Sequence, residues 1–199
     1  MASDINTTQL RRVVELNEAA KALFRQSFGI NLRALDAIVQ RKRGGGALRG
    51  LDEVSSQIRL WSRELHQKVE CLWALGRSAV ASASHLLQTR RVESFLERAV
   101  AGRGDTWASR SVEQSRAIVA GHLAELKTAW RRILDAIDDL NQLGLMACVL
   151  SRSALIEAST ASDDEREKLV SVSRDFYKKS EEVVGIVQAL AKSLGRAGA

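Results

Sequence analysis

Apolar side chains recur along this chain at alternating steps of three and four residues, the spacing of a helix that buries one stripe in a bundle core. The pattern predicts a first helix from about Asn6 or Thr7 to Arg43 and a second from about Leu51 to Val100. The predicted core stripe of the first helix is Val13, Leu16, Ala20, Leu23, Ser27, Ile30, Ala34 and Ala37. The predicted core stripe of the second is Val54, Ile58, Trp61, Leu65, Val69, Leu72, Gly76, Ala79, Ala83 and Leu86.

The second half of the chain shows the same organisation after a glycine-containing break at Ala101–Asp105. Asp105 or Thr106 is the predicted N-cap of a third helix, and the polar stretch Ser159–Asp164 is the predicted turn before a fourth. The predicted core stripe of the third helix is Leu123, Leu126, Trp130, Ile133, Ile137, Leu140, Gly144, Ala147, Ser151 and Ala154. That of the fourth includes Val172, Phe176, Val183, Ile186, Leu190 and Leu194.

Four long helices predict an all-α fold, namely an elongated, antiparallel, coiled-coil-like four-helix bundle. We expect residues 1–199 to form this bundle as a single domain, with one helical hairpin over 5–100 and another over 106–197. The chain contains no proline, so no residue of that type interrupts the helices.

The two hairpins resemble each other in sequence. At a constant offset of 110 residues, Asn31, Arg33, Leu35, Ala37 and Val39 align with Asn141, Leu143, Leu145, Ala147 and Val149. Beyond the turn the alignment needs a shift of a few residues. An internal duplication would make one chain a pseudo-dimer of two hairpins, and a bundle completed within one chain favours a monomer. The alternative is a chance alignment of heptads.

The composition is that of a soluble globular protein, with 45% apolar and 27% charged residues. No apolar run approaches the length of a membrane span, and the N-terminus lacks the apolar core of a secretory signal, so the sequence predicts a cytoplasmic protein. The formal net charge is +6. Basic residues concentrate near the first turn, where Asp36 is the acidic residue that opposes Arg33, Arg41, Lys42, Arg43 and Arg49.

A basic hairpin end could attract an acidic protein surface or nucleic acid, and it could equally be a solvated end. Nucleic-acid binding is not predicted, because the basic residues are not interleaved with aromatic ones.

Metal and thiol chemistry are not predicted. Cys71 and Cys148 lie far apart within helical patterns, which predicts reduced, packed thiols. His66, His85 and His122 lack the paired spacing of metal ligands, so we expect neither a metal nor another cofactor.

Two acidic–amide pairs offer an enzymatic alternative. Asp36 with Gln40, and Asp138 with Gln142, stand four residues apart and would share a helix face. Phosphatases of the chemotaxis type use such a pair to orient water at an aspartyl phosphate. Because pairs of this kind are frequent in polar helices, catalysis is not the predicted function.

The most specific segment is Phe28–Arg59, FGINLRALDAIVQRKRGGGALRGLDEVSSQIR, in which Asn-Leu-x-Ala-Leu is followed by Arg-x-Gly-x-x-x-Arg-Gly. This segment resembles, without a gap, the hairpin tip of the cytoplasmic signalling domain of methyl-accepting chemotaxis receptors. The residues in register are Phe28, Asn31, Leu32, Ala34, Leu35, Ala37, Val39, Arg43, Gly45, Arg49, Gly50, Val54, Ile58 and Arg59.

In that family the tip contacts a histidine kinase and its adaptor protein. The resemblance implies that the positions facing the kinase or adaptor are Leu32, Leu35, Asp36 and Val39. It implies that the positions packing receptor dimers into trimers are Phe28, Gln40 and Arg43. Asn31 lies in the same tip, and Arg49 with Gly50 would shape the turn.

This chain departs from the family in its tip charges. Gln40 and Gly46 replace the family's two tip glutamates, and Asp36 replaces an asparagine. Together with Arg41 and Lys42, these changes invert the local charge. The departures leave two hypotheses: the chain binds signalling partners without activating them, or it has acquired another partner.

The sequence therefore predicts a non-catalytic, chemoreceptor-like signalling protein. It would act by protein–protein contact through its hairpin tip, with a chemotaxis-type histidine kinase, its adaptor or full receptors as partners. The alternative is a helical bundle that binds an unrelated protein or ligand outside chemotaxis.

Overall fold

Four α-helices make up a computed structural model of the chain: α1 (Ala2–Gly44), α2 (Arg49–Arg103), α3 (Thr106–Ala158) and α4 (Asp163–Gly195). The structure describes the backbone of residues 2–44, 49–103, 106–159 and 163–195. Within these it describes the side chains of 11–39, 52–101, 110–159, 163 and 166–195. These residues contain no strand, and the four helices pack against each other, which confirms the all-α four-helix bundle.

The helices extend further than their apolar patterns predicted. α1 begins at Ala2, α2 continues to Arg103, and α4 begins at Asp163, inside the predicted turn. Polar residues with adequate helix propensity continue a helix without adding to an apolar stripe, so periodicity underestimates its ends. α3 begins at Thr106, one of the two predicted caps, whereas Asp105 lies outside the described residues.

The chain divides into two compact units. One consists of Met1–Val13 and Ala74–Leu134. The other consists of Val14–Trp73 and Asp135–Ala199, contains segments of all four helices, and is called the four-helix unit below. The predicted tip segment falls within the four-helix unit.

Neighbouring helices of the four-helix unit run antiparallel. Between α1 and α2, Ser62 Oγ donates to the Ser27 carbonyl at 2.7 Å, and Trp73 Nε1 donates to Asn17 Oδ1 at 3.3 Å. The later residue of α2 thus contacts the earlier residue of α1, as in an antiparallel pair. The other neighbours are joined by Lys68–Asp139 between α2 and α3, Arg152–Tyr177 between α3 and α4, and Gln26–Glu182 between α1 and α4. The helices therefore follow one another around the unit in chain order.

The predicted core stripes are buried over long continuous stretches. In α1 every predicted core residue from Leu16 to Ala37 is buried. The same holds in α2 from Val54 to Ala79 and in α3 from Ile133 to Ala154. The alternating step of three and four residues therefore identified the core correctly over these stretches, whereas the predicted core residues Val13, Ala83, Leu123 and Trp130 are half-buried.

The stripe predicted for α4 was partly wrong. Val172 and Ile186 are half-buried, while the buried residues that the prediction omitted are Leu169, Ser173, Ser180 and Val187. Serine carries no apolar signal, so the pattern was fitted to valine and isoleucine one residue away from the core.

Some of the buried serines donate their hydroxyl hydrogen to a carbonyl of their own helix, whereas Ser173 Oγ has no hydrogen-bond partner in the described structure. Ser180 Oγ donates to the Phe176 carbonyl at 2.8 Å, and Ser151 Oγ donates to the Ala147 carbonyl at 2.7 Å. A small side chain satisfied in this way needs no partner on the facing helix, so helices can approach closely.

Trp61 links three helices of the four-helix unit. Its indole Nε1 on α2 donates to the Leu143 carbonyl on α3 at 2.8 Å. Its ring meets the ring of Phe176 on α4 edge-on, with 5.3 Å between centroids. Both the apolar ring and the polar N–H are thus satisfied in the core, which fixes the register of α2 against its neighbours.

In the other unit, α2 and α3 bury apolar residues that include Leu86, Val119 and Leu126, and they also make contacts at the surface. Arg116 contacts Glu97 at 2.8 Å and Glu93 at 3.6 Å, and the hydrogen bond to Glu97 raises the pKa of Arg116. The imidazoles of His85 and His122 stack with 5.9 Å between centroids. Exposed ion pairs of this type contribute little to stability because solvent screens them.

None of the helices in the described ranges carries an apolar stretch sufficient to cross a bilayer.

Two glycines give a matched test of helix packing. A Cβ at Gly144 would stand 2.7 Å from Val184 Cγ2, whereas a Cβ at Gly185 would meet nothing within 4 Å. We expect Gly185→Ala to raise the free energy of unfolding by about 0.5–1 kcal/mol, because alanine restricts the unfolded chain and favours helix. We expect Gly144→Ala to be less stable than Gly185→Ala by about 1 kcal/mol or more, because the Val184 side chain or α4 itself must shift to admit the methyl group.

Urea-induced unfolding followed by circular dichroism measures both variants. Equal gains in stability for the two substitutions would contradict the close approach of α3 and α4 at Gly144.

Candidate functional site

An exposed apolar stripe runs along α1 beside its buried stripe. Phe28 is 68% exposed, Leu32 49% and Val39 46%, while Leu35 is half-buried. Spacings of four, three and four residues place them on one side of the helix. This stripe of Phe28, Leu32, Leu35 and Val39 is called the α1 face. Single exposed apolar residues are ordinary, but a continuous stripe is typical of an interaction surface.

Polar residues border the α1 face. Asp36 is exposed, and Asn31 is half-buried with its Oδ1 atom buried and without a hydrogen-bond partner in the described structure. Arg33 approaches Asp175 of α4 at 3.8 Å, an exposed pair that solvent screens. The predicted contact residues up to Val39 therefore consist of the apolar α1 face and the polar residues Asn31 and Asp36 beside it.

Three predicted tip residues cannot be placed in the same detail. The backbones of Gln40 and Arg43 belong to α1, and Arg49 is the first residue of α2. Their side chains, and the turn between the two helices, lie outside the described residues. The same holds for Arg41 and Lys42, so the basic hairpin end stays a prediction.

A second exposed stripe, which the sequence analysis missed, lies on α3. Its members are Leu145, Val149 and Ile156, each 117 residues after Phe28, Leu32 and Val39 respectively. The buried residues of α1 from Leu16 to Ala37 also fall on buried residues of α3 at this offset. The offset differs from the predicted 110 by one heptad, which explains why sequence periodicity alone did not distinguish the two alignments.

A groove of about 380 Å³ opens between α1 and α2 next to the α1 face. Its lining includes Ser27, Phe28 and Asn31 from α1 and Arg63, His66 and Glu70 from α2. Ser27 Oγ lies 3.3 Å from His66 Nδ1, and His66 Nε2 lies 3.6 Å from Glu70. The α2 residues recur at steps of three and four and so share one helix side, but no sequence signal shows that this side meets Phe28.

The acidic–amide pairs of the phosphatase hypothesis are on the surface where they are described. Asp138 and Gln142 are both exposed on α3, and Asp36 is exposed on α1, while the Gln40 side chain is outside the described residues. This hypothesis stays a prediction.

Metal-ligating side chains do not cluster in the part of the chain that the structure describes, where no three of His, Cys, Asp and Glu come together to hold an ion.

The two thiols differ in environment. Cys71 is exposed, so the prediction of a packed thiol was wrong for this residue, which lies on α2 beside the core residue Leu72 rather than in the stripe. Cys148 is half-buried, and burial raises the pKa of its thiol, with a smaller contribution in the same direction from Glu181.

No model of a known protein family matches the chain, and no curated protein is significantly similar to it. Functional inference therefore depends on the residues and contacts given above.

The thiol environments predict a clear order of alkylation. Iodoacetamide reacts with the thiolate, and a raised pKa lowers the thiolate fraction of Cys148 at any pH below that pKa. We expect Cys71 to be modified several times faster than Cys148 in the folded protein, as measured by peptide mass spectrometry at slightly alkaline pH. In urea the two rates should converge. Faster modification of Cys148 in the folded protein would contradict the helix orientations.

Proposed function

We propose that this protein is a non-catalytic, chemoreceptor-like signalling protein of the cytoplasm. It binds a chemotaxis-type histidine kinase together with its adaptor protein, or full receptors, through the α1 face and the adjoining hairpin tip. The observation that carries the proposal is the exposure of the α1 face, because its members are the residues to which the tip resemblance assigns partner contact.

Burial divides the described residues of the tip segment into core residues and exposed residues. Ile30, Ala34 and Ala37 are buried in the bundle, so their presence in the matching segment is explained by packing. Phe28 and Leu32 are exposed, and packing among the described residues does not account for their apolar side chains. Large apolar side chains on an exposed helix side contribute binding energy when a partner covers them.

The α1 face is suited to binding by shape and apolar contact rather than by catalysis. Its apolar residues can fill a groove of a partner, as one helix side commonly does, while Asp36 and the Asn31 amide can fix the orientation by hydrogen bonds. The loss of tip carboxylates supports contact without kinase activation, since the arginine that pairs with a glutamate across a receptor interface in the resembled family would lack that partner here.

A pair of leucines provides the test. Leu32 on the α1 face and Leu60 on α2 are both exposed, but Leu60 is not part of the face. We expect Leu32→Glu to weaken binding to the purified kinase–adaptor complex by about tenfold or more, because a buried charge replaces an apolar contact. Leu60→Glu should bind as the unmodified chain does. Fluorescence anisotropy or calorimetry measures the dissociation constants.

Thermal unfolding of both variants serves as the control, and neither melting temperature should change by more than a few degrees, because both positions are exposed. The proposal fails if the unmodified chain does not bind the complex, or if both variants lose affinity equally.

A further inference from the structure

The exposed apolar residues of α3 form a surface that the proposed function does not use. Leu145 is 49% exposed, Val149 64% and Ile156 71%, and these three residues are called the α3 stripe below. Steps of four and seven residues place them on one side of the helix. The whole stripe belongs to the four-helix unit, and a run of exposed apolar residues on one helix side is typical of an interaction surface.

Two opposite charges frame Leu145 at equal distances. Asp138 lies seven residues before it and Arg152 seven residues after it, and both side chains are exposed. Seven residues are two helical turns, so the three residues share one helix side, with about 10 Å between successive members. Read from the opposite end, the sequence of charges is positive, apolar, negative, which is the complement of the original order.

Neither charge has an ion-pair partner among the described residues. Asp138 makes no ion pair or hydrogen bond there. The Arg152 guanidinium lies over the Tyr177 ring, 5.5 Å from its centroid, and donates to the phenol oxygen at 3.2 Å. Glu181 acts on Arg152 only at longer range. The contact with Tyr177 orients the guanidinium at the surface and leaves other N–H groups available to a carboxylate.

A second copy of α3 in antiparallel orientation matches this pattern. With Leu145 of both copies near a two-fold axis, Asp138 of each copy faces Arg152 of the other, and the apolar residues Leu145 and Val149 form the centre of the contact. Two equivalent ion pairs then flank one apolar centre. A parallel arrangement would place like charges opposite each other, which is unfavourable.

The same charges distinguish the α3 stripe from the α1 face. At the offset of 117 residues, Asp138 corresponds to Lys21 and Arg152 corresponds to Leu35. Lys21 is already paired with Glu18 at 2.8 Å. A partner that fits the α1 face by apolar contact would leave both charges of α3 without counterparts, whereas a second copy of α3 supplies a counterpart for each.

We propose that this protein forms a symmetric dimer in which the α3 stripes of two copies pack antiparallel, with reciprocal pairs between Asp138 and Arg152. A bundle completed within one chain favoured a monomer, but completing the bundle does not cover the α3 stripe. The dimer joins two finished bundles and does not use the α1 face. It does not rest on the function proposed above, and its test uses the chain alone.

The dimer is expected to be weak, because one helix side against another is a small interface and exposed ion pairs are screened by solvent. A dissociation constant on the order of 10–100 µM follows for such a contact. Sedimentation equilibrium of the full chain between about 5 and 500 µM should therefore show the mass rising from that of a monomer toward twice that value.

Charge-reversal variants test the pairing. Asp138→Arg and Arg152→Glu should each weaken self-association by about tenfold or more, because each variant alone places like charges opposite each other. The double variant should dimerise again, and an equimolar mixture of the two single variants should form a mixed dimer. Arg174→Glu, which makes the same change of charge at an exposed position of α4, should dimerise as the unmodified chain does.

Folding is controlled by circular dichroism melting, which matters most for Arg152→Glu because that variant loses its contact with Tyr177. Recovery in the double variant excludes misfolding as the cause of the loss. A chain that stays monomeric up to about 500 µM overturns the proposal and leaves the α3 stripe to a different partner. Single variants that associate as the unmodified chain does, or assemblies that grow beyond a dimer, also overturn it, since contact between unlike faces does not stop at two copies.

Discussion

The structure depends on a narrow buried stripe that repeats every seven residues along each helix. In α1 this stripe is built from residues such as Leu23, Ser27 and Ala34, and in α3 from residues such as Ile133, Gly144 and Ser151. Small side chains let the helices approach closely, and Trp61 then sets the register by spanning three of them. Because the stripe is narrow, whatever apolar residues lie beside it remain on the surface.

The candidate site follows from that geometry. Each residue of a helix is rotated by about 100° from the one before it, so Phe28 points away from the core that holds Ser27. Leu32 and Val39 continue the same exposed side at helical spacing. The α1 face is therefore a second apolar stripe on a helix whose other stripe is already buried in the bundle. This is the physical reason for proposing that another molecule covers it.

The sequence alone predicted the fold class and most of the core, because the cores of α1, α2 and α3 follow apolar periodicity closely. It did not identify Ser173 and Ser180 of α4, since a buried serine is indistinguishable from a surface serine in a one-dimensional pattern. It also did not decide whether Leu32 is core or surface, because a residue next to the core stripe can be either. The sequence could not predict the groove, because Asn31 and Arg63 line the same groove only through the pairing of α1 with α2.

Methyl NMR spectroscopy tests the central claim most directly. Spectra of the full chain with labelled leucine and valine methyl groups are compared with and without the purified kinase–adaptor complex. The account predicts that the signals of Leu32 and Val39 shift or broaden, while those of the buried Leu23 and of Leu60 on the other helix do not. A spectrum that the complex leaves unchanged, or changes confined to methyl groups away from the α1 face, would contradict it.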